Sequence, residues 1–255
     1  MNHNSLLTEL IANFKLPNET KLGVKIPKKT LSDNTELSSN DKNIIKYILK
    51  SIDWAYTLKP DTINIPTFED GVREYLEIAV LQIKVKNLNK TKQLCKLLHT
   101  NIPYPTLLLV EHEQSLAISV ADKRINQADS HKLTIEKQFD SGWLNQPLES
   151  VQQSFINDFS LSNCSTVSLY DLYSDFINKF NRLESAKFTG VYGSHQQTSD
   201  SPQVTAVLEQ LKSLETELNA LRNKLKTESL MNNKVKLNVQ AREIKKQIKK
   251  LKEQL

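Results

Sequence analysis

Two closely spaced apolar segments that follow a pair of prolines near the middle of the chain constrain the fold most. Pro103 and Pro105 lack a backbone N–H and end the element before them, so the apolar run 106–110 is predicted to be a buried strand. Residues 111–115 form a polar turn, and residues 116–121 then alternate with the two-residue period of a second strand. The two strands predict a hairpin, and the centre of the fold is therefore predicted to be a sheet.

Helices and further strands are predicted around this hairpin. Helical spacing of apolar residues occurs at 6–14, 44–52, 90–100, 151–159 and 169–183, the last with an aromatic face. Strands are predicted at 52–58, 75–85 and 133–135, with a short edge strand at Ile63 and Ile65, whereas residues 18–38 are polar and irregular. Consecutive strands with segregated helices favour an α+β fold, a mainly antiparallel central sheet flanked by helices, over a doubly wound fold.

The C-terminal segment has a heptad-like apolar pattern. Its two seams are Val204, Val207, Leu211, Leu214, Leu218, Leu221 and Leu225, and then Leu237, Ala241, Ile244, Ile248, Leu251 and Leu255. The register breaks between the seams, and a turn near residues 227–233 predicts a helical hairpin in preference to one continuous coiled-coil helix. The predicted organisation is an α+β domain over 1–189, a polar linker over 190–202 and the helical hairpin or coiled coil over 203–255.

Positive charge is concentrated at the end of the chain. Residues 1–202 carry 22 basic and 23 acidic side chains, whereas residues 234–255 carry 8 basic side chains against Glu243 and Glu253. Most of these cations lie opposite the second seam at about 100° per residue. The candidate basic tail consists of Arg242, Lys245, Lys246, Lys249, Lys250 and Lys252.

Several classes of protein are disfavoured by what the sequence lacks. The two cysteines, Cys95 and Cys164, lack metal-ligand spacing and are expected to be reduced thiols of a cytoplasmic protein. No secretory signal or membrane-spanning run is present, so no membrane association is expected. No Gly-rich phosphate loop occurs, and the histidines have no nucleophile or acid at an informative spacing. No cofactor and no metal are predicted, and no catalytic residue can be named.

A polar cluster at the end of the central hairpin is a candidate binding site. Its members are Lys123, Arg124, Asn126 and Asp129, with His131 beside them. Arginine and lysine side chains suit a phosphate or the carboxylates of a partner. The structural alternative is an internal network in which Arg124 pairs with Asp129 or Glu77.

A metal-dependent nuclease is a second alternative. Asp61, Glu77 and the segment Gln82-Ile83-Lys84 loosely match the layout in which two acids hold a divalent metal and a lysine follows. Glutamine is a poor ligand for such a metal, and short carboxylate patterns arise often by chance.

Segments along most of the chain resemble a known bacterial family. They are Leu58 to Ile65, Glu74 to Ile78, Ile102 to Pro105, Ala121 to Asp129, Lys132 to Thr134 and Lys234 to Asn238. The family is domain of unknown function 4391, and the resemblance implies a setting, because its members are commonly encoded beside helicases and DNA methyltransferases in phage-defence clusters. It implies no catalytic residues.

Together these observations predict a non-catalytic accessory or adaptor protein of a multi-protein DNA-modification or anti-phage defence system. We expect it to dock through its basic C-terminal helices to a helicase or methyltransferase of the same gene cluster. The alternatives are the nuclease that uses Asp61 and Glu77, a module that binds the nucleic-acid backbone non-specifically, and a homodimer formed through the C-terminal helices.

Overall fold

A computed structural model of the chain describes residues 5–32, 37–127, 133–193 and 202–254, without the side chains of residue 32 and residues 202–205. The chain forms two compact units, residues 1–180 and residues 181–255. The predicted linker at 190–202 lies largely outside the described residues, and the predicted domain boundaries stay a prediction.

The first unit contains strands and helices, and the second is helical. The strands in the described residues are β1 Lys21–Lys25, β2 Leu49–Leu58, β3 Phe68–Glu69, β4 Glu74–Tyr75, β5 Ile78–Val85, β6 Thr106–His112, β7 Ser115–Ile125 and β8 Leu133–Leu144. The α-helices there are α1 Leu6–Phe14, α2 Lys28–Ser32, α3 Ser39–Tyr47, α4 Pro60–Ile63, α5 Thr91–Asn101, α6 Ser150–Asp158, α7 Leu169–Thr189, α8 Pro202–Thr227 and α9 Met231–Lys252.

Six strands form one sheet, in the order β1-β2-β5-β6-β7-β8. β5 and β6 are parallel and are connected through α5, whereas every other neighbouring pair in this sheet is antiparallel. The predicted central hairpin is β6 and β7, in which His112 pairs with Ser115 and Leu108 with Ser119. The predicted α+β class, with a mainly antiparallel sheet flanked by helices, is confirmed.

The helices α3 and α5 cover one face of the sheet. α3 begins with a capping box, in which the Ser38 hydroxyl accepts from the backbone N–H of Asp41 and the Asp41 carboxylate accepts from that of Ser38. Ile44 and Ile45 of α3 and Leu94 and Leu98 of α5 join one apolar cluster. Every second residue of the central strands packs into this cluster, including Leu81, Ile83, Leu108 and Val110. Burial of each such side chain stabilises the fold by roughly 1.5–3 kcal/mol.

An aromatic cluster forms a separate apolar region of the first unit. Phe14 of α1 packs edge-on against Phe159 and Phe176, at centroid distances of 6.2 Å and 5.6 Å. Phe180 of α7 lies 6.5 Å from Phe139 of β8. The aromatic face predicted for residues 169–183 is confirmed, and it holds α1 and α7 together.

β1 is an outer strand of the sheet, and all five of its residues are exposed. Its register with β2 shifts between Lys21 and Val24, and Gly23 within this stretch has a φ of +67°. The prediction that residues 18–38 are irregular was therefore wrong for this strand and for α2. The predicted strand at Ile63 was also wrong, because the residue ends the short helix α4.

The second unit contains the helical hairpin of α8 and α9. Both heptad seams supply its core, which consists of Leu211, Leu218, Leu221, Ala241, Ile244 and Ile248. The turn falls at residues 228–230, where the Glu228 carboxylate accepts from the backbone N–H groups of Ser229 and Leu230 at 2.9 Å each. The predicted helical hairpin is confirmed, and the predicted break near residues 227–233 is correct.

Candidate functional site

Lys123 lies in the interior of the first unit. Only 3% of its surface is exposed, and its Nζ donates to the carbonyl oxygens of Ile102 and Tyr104 at 3.0 Å and 2.7 Å. Burial lowers the pKa of the Lys123 ammonium to about 7. The side chain therefore fastens the connection between α5 and β6 to β7, and it presents no ammonium group at the surface.

A buried hydrogen-bonded chain runs beside Lys123. His99 of α5 is fully buried, with Nδ1 2.7 Å from Thr106 Oγ1 and Nε2 3.1 Å from Ser119 Oγ. Ser119 donates its only hydroxyl proton to the carbonyl oxygen of Phe139 at 2.9 Å, so it accepts from Nε2–H of His99. Nδ1 then accepts from the Thr106 hydroxyl. Burial, and after it the neighbouring Lys123, lowers the pKa of His99 well below its ordinary value, which keeps the imidazole neutral.

This arrangement places a serine next to a histidine, but the direction of proton donation between them is opposite to that in a serine hydrolase. A catalytic serine gives its proton to the histidine, whereas Ser119 receives a proton from His99 and donates elsewhere. The third residue of the series, Thr106, carries no charge that would stabilise an imidazolium at His99. The neighbouring Lys123 disfavours this imidazolium, because it lowers the pKa of His99. The hydrogen bonds among Thr106, His99 and Ser119 are therefore a structural connection between α5 and the sheet.

A pocket of about 500 Å³ opens above Ser119 between α5 and the strands β7 and β8. Cys95, Ser119 and Trp143 contribute to its lining, and Lys92 pairs with Asp140 at its edge, with Nζ 3.1 Å from Oδ2. Burial raises the pKa of the Cys95 thiol to about 12, so the sulfur is protonated and is a poor nucleophile near neutral pH. The lining supplies no activated nucleophile.

Arg124 belongs to a network of charges at the end of β7 and the start of β8. Its Nε lies 3.1 Å from Oε1 of Glu136, and Arg73 contacts both Glu136 and Asp122, at 2.9 Å and 3.2 Å. A register shift between Asp122 and Lys123 leaves Glu136 as the extra residue of β8. Arg124 thus has an internal partner, as the structural alternative predicts, but the partner is Glu136 rather than Glu77.

Asp61 and Glu77 lie at the same end of two paired strands. β2 ends at Leu58, which pairs with Ile78 at the start of β5, and the two acids lie just beyond this pair. The Asp61 side chain is 85% exposed and is 3.8 Å from the Lys59 ammonium. No group of three or more His, Cys, Asp or Glu residues suited to a metal occurs in the part of the chain that the structure describes.

The basic residues of the tail lie on the outside of α9. We call Arg242, Lys245, Lys246, Lys249 and Lys250 the basic face, and all five are exposed. In the described ranges one ion pair involves this face, between Lys246 and Glu243 at 3.5 Å. Lys252 differs from these five, because it is partly buried and its ammonium lies 5.2 Å from the centre of the Phe188 ring.

The basic face continues an apolar strip on the same helix. Met231, Val235 and Val239 are 74%, 53% and 64% exposed, and none of them belongs to the hairpin core. Together with three cations they form a regular series, which we call the outer stripe: Met231, Val235, Val239, Arg242, Lys246 and Lys249. Its apolar half was not predicted from the sequence, although its apolar residues recur there at a helical spacing of four residues.

The model of the family Domain of unknown function (DUF4391) matches residues 14–248. The chain belongs to this family. No curated protein and no solved structure matches it. For this DUF4391 member, the family assignment supplies no reaction and no residue role.

The predicted site residues of this DUF4391 protein do not meet in one place. Lys123 is internal, Arg124 is part of the charge network, and Asp129 and His131 lie outside the described residues. Asn126 follows the end of β7. The hypothesis that this segment binds a phosphate or a partner stays a prediction, whereas the five residues of the basic face do share one exposed surface.

No helix among the described residues is long and apolar enough to cross a membrane.

Proposed function

We propose that this chain is a non-catalytic adaptor that docks through α9, as an accessory protein of a multi-protein DNA-modification or anti-phage defence system. The observation that supports docking is the basic face, five exposed cations on 9 residues of one helix. The buried side chains of Lys123, His99 and Ser119 are hydrogen-bonded to other groups of the first unit. The setting, with a helicase or DNA methyltransferase as partner, rests on the family resemblance.

The physical basis of docking is the local density of charge. Five cations within about three turns of helix create a strong positive potential in water, which attracts an acidic surface and accelerates encounter. Exposed lysines with one weak internal ion pair lose little when a partner replaces water around them. The basic face is therefore suited to bind an acidic partner and contributes little to the stability of the hairpin.

A charge-reversal experiment tests this function. Lys245, Lys246, Lys249 and Lys250 are changed to Glu in the full chain, and co-purification with the helicase or methyltransferase that the family resemblance predicts as a neighbour is measured. A matched control changes four exposed lysines of the first unit, Lys42, Lys50, Lys84 and Lys96, to Glu. We expect the first variant to lose the complex and the control to retain it. Equal retention by both variants would refute docking through α9.

Two rival functions give different results. A nuclease would cleave DNA in the presence of magnesium or manganese, and Asp61→Ala or Glu77→Ala would abolish the cleavage. A non-specific DNA-binding module would shift duplex DNA, with an affinity that falls steeply with salt and falls further in the α9 charge-reversal variant. Cleavage that depends on Asp61 or Glu77 would reject the non-catalytic proposal.

A further inference from the structure

The outer stripe of α9 has the geometry of a second packing seam. At about 100° per residue its six positions lie within about 80° of one another, on the side of the helix away from the core seam. The core seam already buries Ala241, Ile244 and Ile248 against α8. Met231, Val235 and Val239 therefore contribute nothing to the core of the hairpin and remain exposed.

A second copy of this chain does not fit the outer stripe. In a parallel pair, Arg242, Lys246 and Lys249 of one copy would face the same cations of the other. In a fully overlapped antiparallel pair, the three apolar side chains of one copy would face the three cations of the other. A pair that joins only the apolar halves buries three side chains per copy, far less than the roughly 800 Å² per partner of a stable interface.

The charge pattern identifies the occupant that does fit. Resting on the proposed docking function, we infer that the outer stripe binds an amphipathic α-helix of a partner protein, with an apolar half and an acidic half. Its apolar side chains pack on Met231, Val235 and Val239, and its carboxylates pair with Arg242, Lys246 and Lys249. The contact is about 27 Å long, or five helical turns.

The direction of the partner helix follows from the helix dipole. Carboxylates are favoured in the N-terminal part of a helix, and the three cations of the outer stripe lie in the C-terminal half of α9. Both preferences are met when the partner runs antiparallel to α9, with its acidic half first. The matching pattern is Glu-x2-Glu-x3-Glu-x2-Leu-x3-Leu-x3-Leu, the reverse of the spacing along the outer stripe.

A synthetic peptide of about 25 residues with this pattern tests the inference against the full-length protein. Binding is measured by fluorescence anisotropy, beside a peptide with the acidic and apolar halves exchanged and a peptide with Lys in place of Glu. We expect the acidic-first peptide to bind most tightly. Val235→Gln with Val239→Gln, and Lys246→Gln with Lys249→Gln, should each weaken it about tenfold or more. The matched control, Ala220→Gln with Asn223→Gln on exposed positions of α8, should bind as the unaltered chain does.

Three results would overturn the inference. They are equal binding of the Lys peptide, unchanged binding by the valine variant, and binding of a 20-base-pair DNA duplex with no binding of any peptide. The same variants separate this inference from the proposed function in co-purification. If charge reversal abolishes the complex and the valine variant retains it, docking through α9 stands and the amphipathic-helix partner is rejected. If charge reversal leaves the complex intact, the docking function itself fails.

Discussion

Lys123 and His99 are ionisable groups that the fold holds in unusual protonation equilibria. Neither faces a carboxylate in the contacts that the structure describes, and each is bonded to neutral groups, two carbonyl oxygens for Lys123 and two hydroxyls for His99. Burial disfavours the charged form of both, so both pKa values are lowered. The protonation of these two residues therefore couples the stability of the first unit to pH.

The coupling has a definite sign for each residue. Unfolded lysine keeps its proton up to about pH 10.5, whereas the folded Lys123 releases it near pH 7, so the free energy of unfolding rises between these values. Unfolded histidine takes up a proton near pH 6.5 that the folded His99 does not, so the free energy of unfolding falls as the pH drops below that value.

We predict that Lys123→Met removes the rise in stability from pH 7 to pH 9. The slope contributed by one group is at most about 1.4 kcal/mol per pH unit. Urea unfolding can be followed by tryptophan fluorescence, because both tryptophans, Trp54 and Trp143, lie in the first unit. An equal change in the free energy of unfolding between pH 7 and pH 9, in the unaltered chain and in the Lys123→Met variant, would show that Lys123 does not titrate in this range.

We predict that Ser119→Ala lowers the free energy of unfolding by about 1–3 kcal/mol, because it leaves the buried Nε2–H of His99 without its acceptor. Ser115→Ala, at a partly buried position of the same strand whose hydroxyl donates to Asn145 in a solvent-exposed hydrogen bond, serves as the control and should change stability by less than about 0.5 kcal/mol. The same urea experiment measures both. An equal loss in the two variants would contradict the role given to Ser119.

These contacts were not predictable from the sequence. His99 meets Thr106 and Ser119, which follow it by 7 and 20 residues, only because α5 returns the chain to a strand whose partner carries Ser119. No local spacing signals such a meeting. The burial of Lys123 was not predictable from the sequence either, since a lysine near the end of a strand is ordinarily exposed.

Among the elements, α7 is joined to the sheet by a polar contact as well as by aromatic packing. The hydroxyl of Tyr173 accepts from the backbone N–H of Ala121 at 3.1 Å and lies 2.8 Å from the carbonyl oxygen of Thr106, to which it donates. These two groups belong to neighbouring strands, beyond the last paired residues of β6 and β7. The hydroxyl thus replaces a missing ladder bond.

We predict that Tyr173→Phe destabilises the first unit by about 1–3 kcal/mol, since it leaves two buried backbone groups unpaired while the ring still packs. Tyr170→Phe is a control on the same helix. Hydrogen exchange of the Ala121 amide should also become faster in the Tyr173 variant alone. Unchanged exchange there would mean that the hydroxyl does not protect the ladder.

Most elements with a buried face were predicted, and those without one were missed. The helix predicted at 44–52 was wrong over its last residues, because α3 ends at Tyr47 and β2 begins at Leu49. α1, α5, α6 and the β6-β7 hairpin carry apolar residues at the period of their structure. β1 has five exposed residues, so it leaves no alternation to detect. β8 extends over 12 residues, although only its start was predicted as a strand, because most of its residues are partly buried and its pattern is weak.

At the scale of the whole molecule, charge is divided between an almost neutral body and a cationic helix. Residues 1–202 carry 22 basic and 23 acidic residues, and the excess lies in residues 234–255. Overall net charge of +5 therefore understates the potential near α9. The sequence was sufficient to predict this division, because it depends on counting and on helical periodicity alone.

We predict that retention on a heparin column depends on where charge is removed. The α9 charge-reversal variant and the first-unit control variant have the same net charge, but the former should elute at clearly lower salt, because it loses a dense cluster. Identical elution of the two variants would show that net charge, rather than the basic face, determines binding to a polyanion.

The exposed edge of β1 has a consequence for solubility. An edge strand with unpaired backbone N–H groups can pair with a strand of another molecule, and long flat edges nucleate amyloid-like assembly. Here lysines stand at both ends of the strand, and the irregularity at Gly23 bends it between them. Lys21, Gly23 and Lys25, which obscure the strand pattern in the sequence, thus disfavour the addition of further strands to this edge of the sheet.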